Sequence, residues 1–228
     1  MNPITSYCGL DCNECSYREL AGCQGCVATK GHPFYRECEL ANCAKSRQVR
    51  FCGECADIPC KMLTDYSNDE EHGDTPKGAR ISRCNEIKAA LVKEARKGME
   101  PVSYCGHHCD YCFLGQWCGG CRSDYNCCSF ATLFEDKQCP NVFCAKIKSL
   151  EGCYQCEELS SCKVGYYGKE EEYVAKATAL FIKEYGLDCY KATLKRCVEE
   201  KVGYPKDFDA TGSVEGAFAI LVARKVEP

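Results

Sequence analysis

Two stretches of this chain carry cysteines in one frame. "SYCGLDCNEC" begins at Ser6 and "SYCGHHCDYC" at Ser103, and both read S-Y-C-G-x-x-C-x-x-C. Cysteines this close together can place several thiolates on one soft or borderline metal ion. The first frame offers Cys8, Cys12 and Cys15, and the second Cys105, Cys109 and Cys112. Further blocks follow each frame in the same order. "CQGC" (Cys23, Cys26) is matched by "CGGC" (Cys118, Cys121), and "CELANCAK" (Cys38, Cys43) by "CPNVFCAK" (Cys139, Cys144). "CGECADIPC" (Cys52, Cys55, Cys60) is matched by "CYQCEELSSC" (Cys153, Cys156, Cys162). Two thiolates separated by two residues can share one metal. The glycine before the second cysteine lets the backbone turn tightly and aim N–H groups at sulfur.

Ten cysteines per copy allow more than one arrangement. Two tetrathiolate zinc sites would use eight of them, and so would two cubane 4Fe-4S clusters. One mononuclear site with one six-thiolate binuclear cluster would use all ten. Proximity in sequence joins the opening frame to the C-x-G-C pair, and Cys38 with Cys43 to the C-x-x-C block. Zinc in a structural or interaction module is the leading expectation. An iron–sulfur protein in redox or electron transfer, as part of an anaerobic enzyme, is the alternative. Storage of soft metals fits less well, because the cysteines are spaced as fixed sites.

Other chemistry has weaker support. C-x3-C-x2-C is also the iron–sulfur signature of radical S-adenosylmethionine enzymes, but no alternating strand–helix pattern follows either frame to build the βα barrel that chemistry uses. The ferredoxin run C-x2-C-x2-C-x3-C-P is absent. His107 and His108 stand where the first frame has Leu10 and Asp11, so a ligand role is open to them. The simpler reading is structural, since the cysteines suffice. His32 and His72 fall in polar loops. Cys60 and Cys162 are nucleophile candidates only if metal leaves them spare. No Ser–His–Asp set, phosphate loop or carboxylate pair stands out.

The elements that position these cysteines read as helices and irregular loops. "TPKGARISRCNEIKAALVKEARKG" predicts a helix stopped near Gly98, with Ile81, Cys84, Ile87 and Leu91 on its core face. "KEEEYVAKATALFIKEYG" and "LDCYKATLKRCVEEKVG" predict two more, broken apart at Gly186. Cys84, Cys189 and Cys197 are expected to be buried in helices as small apolar side chains. Cys127 and Cys128 sit in an insertion of the second copy, outside the framework. "SNDEEHGDTPKG" reads as an exposed loop and "KGMEP" as a boundary. The apolar run from Ala217 to Ala223 fits a strand or a short helix. The expected organisation is a first cysteine-rich repeat over 1–100, a second over 101–205 and a C-terminal tail over 206–228. The fold class is mainly α, small and metal-rich, with metal-stapled loops.

The chain has 228 residues, 25 of them cysteine, and a formal charge of −4. This cysteine density means a disulfide framework or a metal protein. The N-terminus does not read as a secretory signal, and an odd cysteine total fits complete pairing poorly, so a cytoplasmic metal protein with reduced thiols is expected. The acidic balance argues against nucleic acid as a partner, and no apolar run suggests a membrane span. Metal ions are the expected partners, with a protein partner left open. A cysteine- and glycine-rich segment short of apolar runs needs metal to hold one structure.

"YCGLDCNEC", "CQGC", "CAK" and "FCGECADIPC" together resemble the cysteine-rich domain-of-unknown-function family 3795 of bacteria and archaea. Residues 7–60 follow its pattern, including Pro59 before Cys60. Residues 104–162 keep the cysteine order but carry His107 in place of leucine and "EELSSC" without the proline. The resemblance implies a metal-binding module and names no reaction.

Overall fold

A computed structural model describes residues 4–115, 117–125, 129–136 and 138–227. Cys127 and Cys128 lie outside the described residues. The chain divides into two compact units, Met1–Glu94 and Ala95–Pro228. Among the described residues the regular structure is helical. No strand forms, and one isolated bridge joins Val102 to His108. No helix among them is long and apolar enough to cross a membrane.

The first unit carries α1 (Tyr17–Leu20), α2 (Glu39–Ser46), α3 (Lys61–Asn68) and α4 (Ala79–Ala95). Its apolar cluster includes Leu40, Ala41, Phe51, Leu63, Cys84 and Ile87, with Ile81 and Leu91 packed against it. The expected core face of α4 is therefore the one that is buried. The helix stops short of Gly98, whose φ is +73°. The 67–78 stretch is not wholly a solvated loop. Ser67, in the last turn of α3, is fully buried, and the Asp74 carboxylate accepts from Arg80 Nε at 2.7 Å and from its backbone N–H at 2.8 Å.

The second unit carries α5 (Pro140–Ile147), α6 (Val174–Tyr185), α7 (Leu187–Glu199), α8 (Lys206–Asp209) and α9 (Val214–Val222). α6 is its spine. Val174, Ala177, Phe181 and Ile182 enter one apolar cluster with Tyr190, Leu194, Phe208, Ala217 and Leu221. Ala175 and Ala179 enter a second cluster with Cys105, Cys153, Leu159, Tyr166 and Tyr167. A helix apolar on both flanks belongs inside the unit.

α6 begins at Val174, later than its charge-rich lead-in suggests. Glu171 has φ +64°, and the Asp209 carboxylate accepts from the Tyr173 and Val174 N–H groups at 2.9 and 2.8 Å, capping the helix from 35 residues away. Gly186, at φ +88°, separates α6 from α7 as the pattern predicts. The ambiguous run after Val214 is helical, started by Ser213, whose hydroxyl accepts from Gly216 N–H at 2.9 Å. Residues 206–228 lie within this unit and deliver Phe208, Ala217 and Leu221 to its core.

Candidate metal centres

In the second unit the ten framework cysteines fall into two sets around two cavities. A cavity of about 40 Å³ is lined by Cys105, Cys109, Cys112, Cys118, Cys121 and Cys139, with His107, Phe130 and Tyr166. A cavity of about 20 Å³ is lined by Cys144, Cys153, Cys156 and Cys162. An atom-sized guest needs on the order of 10–15 Å³. A larger polar cavity of about 230 Å³ borders the first one and shares Cys109, Gly120 and Cys121 with it, beside Arg96, Glu100, Asp110 and Arg122.

The division corrects the grouping by sequence proximity. Cys139 caps the start of α5 and Cys144 lies within it. Five residues of helix turn the chain by roughly 140° beyond a full circle, so the two thiols cannot serve one centre. Cys139 joins the opening frame, and Cys144 joins the C-x-x-C block. α2 sets Cys38 and Cys43 in the same relation.

In the first unit the neighbours group in a similar way, except that Cys8 adjoins both sets. Burial raises the Cys12 thiol, and then Cys8, Cys15 and Cys23 raise it further. Cys26 is pushed up to about 12 by burial, with Cys8, Cys12 and Cys38 adding to the effect against the Tyr7 N–H. Cys52 rises through burial and then through Cys84, Cys8, Cys60 and Cys43. The Arg47 guanidinium donates to Cys55 Sγ at 3.5 Å, and the Arg47 backbone N–H to the Cys43 carbonyl at 3.0 Å.

Donors aimed at sulfur recur at matching positions. Tyr7 N–H donates to Cys26 Sγ at 3.3 Å, and Tyr104 N–H to Cys121 Sγ at 3.4 Å. Gly25 N–H reaches Cys23 Sγ and Gly120 N–H reaches Cys118 Sγ, both at 3.4 Å, from glycines at φ +86° and +78°. This is the turn the C-x-G-C spacing predicts. Ser6 and Ser103 hydroxyls lie 3.7 and 3.3 Å from Cys8 and Cys105. Arg47 pairs with Asp57 while touching Cys55, and Lys148 pairs with Glu158 at 2.6 Å while donating to Cys156 at 3.7 Å. The Cys52 and Cys153 N–H groups donate to the Tyr7 and Tyr104 carbonyls, both at 2.7 Å.

Every described cysteine is a free thiol. Burial dominates the second set as it does the first. It pushes Cys105 up to about 11 against the Ser103 hydroxyl, and Cys109 and Cys153 up to about 12. These thiols are neutral near pH 7 unless a cation joins them. Among the described residues no three His, Cys, Asp or Glu side chains are gathered tightly enough to hold a metal ion. The donors are of the type zinc and iron–sulfur clusters use.

The remaining cysteines sort as expected. Cys84, Cys189 and Cys197 are buried in apolar clusters, although Cys84 also neighbours Cys8 and Cys52. Cys162 lines the four-cysteine cavity, and Cys60 caps α3 beside Cys52. Neither is spare. His32 and His72 are exposed.

Three tyrosines that carry no sequence signal hold the second frame. Tyr167 donates to the Cys105 carbonyl at 3.0 Å and Tyr190 to the Gly106 carbonyl at 3.1 Å. The Tyr204 hydroxyl accepts from the His108 N–H at 2.9 Å and lies 3.0 Å from His107 Nδ1. Burial pushes the His107 imidazole down to about 4, so it is neutral. Gly106, at φ +97°, packs its bare Cα against α6. A Cβ there would stand 2.7 Å from Thr178 Oγ1 and 2.8 Å from the Ala179 nitrogen. Gly9, at φ +86°, meets α4 in the same way, 2.5 Å from the Arg80 carbonyl oxygen.

No curated protein and no solved structure matches this chain. Residues 16–65, which run from the end of the first frame through the last cysteine of its block, match the model of a family described as "Protein of unknown function (DUF3795)".

Proposed function

We propose that the chain is a cysteine-ligated metal protein made of two related units, each holding metal at a six-cysteine and a four-cysteine set. One observation carries the proposal. The ten framework cysteines of the second unit line two cavities, six and four, with none left over. The matching N–H···S donors, basic residues and glycine contacts in the first unit support the tandem reading. Its sets are Cys8, Cys12, Cys15, Cys23, Cys26 and Cys38, and Cys43, Cys52, Cys55 and Cys60.

Zinc is the leading occupant. Four thiolates suit one tetrahedral ion, and six suit two ions sharing bridging sulfurs. The N–H groups and the Arg47 and Lys148 cations would offset part of the excess negative charge. Loading draws the thiols inward and displaces their protons, so binding free energy becomes folding free energy for loops with little apolar core. The role is then that of a structural or interaction module. The larger volume of the six-cysteine cavity favours one second reading, a 4Fe-4S cluster held there and electron transfer.

Elemental analysis with a sulfide assay, on protein purified without oxygen, tests the proposal. About six zinc per chain without sulfide is expected from two such units. Iron with matching sulfide replaces the zinc reading. A metal-free chain that melts at the same temperature with and without added zinc overturns metal binding.

A further inference from the structure

We propose that His107 Nε2 is a metal donor in the six-cysteine cavity of the second unit, which makes that cavity a mixed thiolate–imidazole centre unlike its all-cysteine counterpart. The inference rests on the metal-binding reading above.

The imidazole is 7% exposed, and its Nε2 is buried without a hydrogen-bond partner. A buried polar nitrogen left unpaired costs on the order of 1–3 kcal/mol. The same ring lines the cavity formed by Cys105, Cys109, Cys112, Cys118, Cys121 and Cys139.

The hydrogen bonds around the ring suit one tautomer. The Tyr204 oxygen accepts from the His108 N–H at 2.9 Å and lies 3.0 Å from His107 Nδ1. In the tautomer protonated at Nδ1 the ring donates to that oxygen as well, and Nε2 carries a bare lone pair. A ligating histidine typically shows this arrangement, its other ring nitrogen donating to an oxygen that fixes orientation. Tyr204 does not line the cavity, so Nδ1 is tethered away from it and the opposite edge of the ring faces the sulfurs. Phe130 lies nearly parallel to the imidazole, with centroids 5.9 Å apart and planes at 20°, and restricts its tilt. In the first unit the matching position is Leu10, 39% exposed and without a nitrogen.

The occupant this donor set selects is a borderline divalent ion such as zinc, which accepts sulfur and imidazole together. The chain has four histidines, which makes a direct test readable. Full-length protein labelled with ¹⁵N-histidine is loaded with ¹¹³Cd²⁺ without oxygen and examined by NMR. The expected result is one imidazole Nε2 resonance that shifts on loading and splits by coupling to cadmium, and that is lost in His107→Leu. If that variant does not fold, the His32→Asn/His72→Asn double variant removes the two exposed rings, and the ring-proton pattern separates Nε2 of His107 from the nitrogens of His108. Cadmium bound to the chain with no coupled histidine nitrogen, or with the coupling at His108, overturns the assignment and leaves the thiolate reading standing. A chain that binds no cadmium overturns both.

Discussion

Gly106→Ala separates what the frame glycine does for backbone freedom from what it does for packing. Gly106 has φ +97°, and an added Cβ would lie 2.7 Å from Thr178 Oγ1, 2.8 Å from the Ala179 nitrogen and 3.0 Å from the Ala175 carbonyl oxygen. Two of those atoms are helix backbone and cannot rotate away. The left-handed conformation costs alanine roughly 1 kcal/mol, and forcing a methyl into a packed interface costs about 1–3 kcal/mol more. The expected loss is about 2–4 kcal/mol. Gly212→Ala is the control. Gly212 has φ +73° and nothing within 4 Å of its Cβ position, so only the conformational cost of about 1 kcal/mol applies.

Trp117 is the chain's one tryptophan and lies in the second unit, so its fluorescence reports that unit's melting. At a fixed free-metal concentration, and with roughly 4 °C per kcal/mol for a unit of this size, Gly106→Ala should melt about 8–16 °C below the parent and Gly212→Ala about 4 °C below. Equal shifts in the two variants would refute the close-packing argument. Gly9→Ala is expected to destabilise the first unit in the same way, since its Cβ meets the Arg80 carbonyl oxygen at 2.5 Å and Cys84 Sγ at 2.6 Å.

Tyr204→Phe removes the acceptor of the His108 N–H and should cost the second unit about 1–3 kcal/mol; unchanged melting would show that water replaces it. Chelator should unfold the cysteine loops while the α6–α7–α9 core, which has an apolar cluster of its own, keeps its amide protection in hydrogen exchange. Full exchange throughout the unit would contradict this. Lys148→Ala should leave melting of the metal-free protein unchanged, because the side chain is exposed, but should weaken metal retention at the four-cysteine set, read by competition with a chromogenic chelator. Glu100 is buried enough to resist ionisation, yet the Lys191 hydrogen bond at 2.7 Å and the Val102 N–H outweigh this and hold its carboxyl below the usual range. Its contribution is therefore present above the carboxylate's unfolded pKa and is lost as pH falls through the folded one. Wild type and Glu100→Gln should differ in melting near neutral pH and converge in acid, and a constant gap would refute the pairing.

The parts legible in the sequence are those whose cause is local. α4 and α7 follow from apolar spacing, the break between α6 and α7 follows from Gly186, and the C-x-G-C turns follow from a glycine free to take positive φ. The start of α6 was not legible, because its cap is Asp209, brought in by the fold. The division of the cysteines is an intermediate case. Once "CPNVFCAK" is placed on a helix, its five-residue spacing alone sends Cys139 and Cys144 to different sides. Proximity along the chain was the weaker guide, since loops bend and a helix turns by a fixed angle. Tyr167, Tyr190 and Tyr204 have no common spacing, yet they converge on four consecutive residues, Cys105 to His108. That convergence also changes the standing of His107. As one letter in a frame already supplied with cysteines, it reads as filler. Held by Tyr204 at one nitrogen and without a partner at the other, it is one of two such buried ring nitrogens in the second frame, with His108 Nδ1, and of these two rings it is the one that lines the six-cysteine cavity. A ligand bound there would supply one.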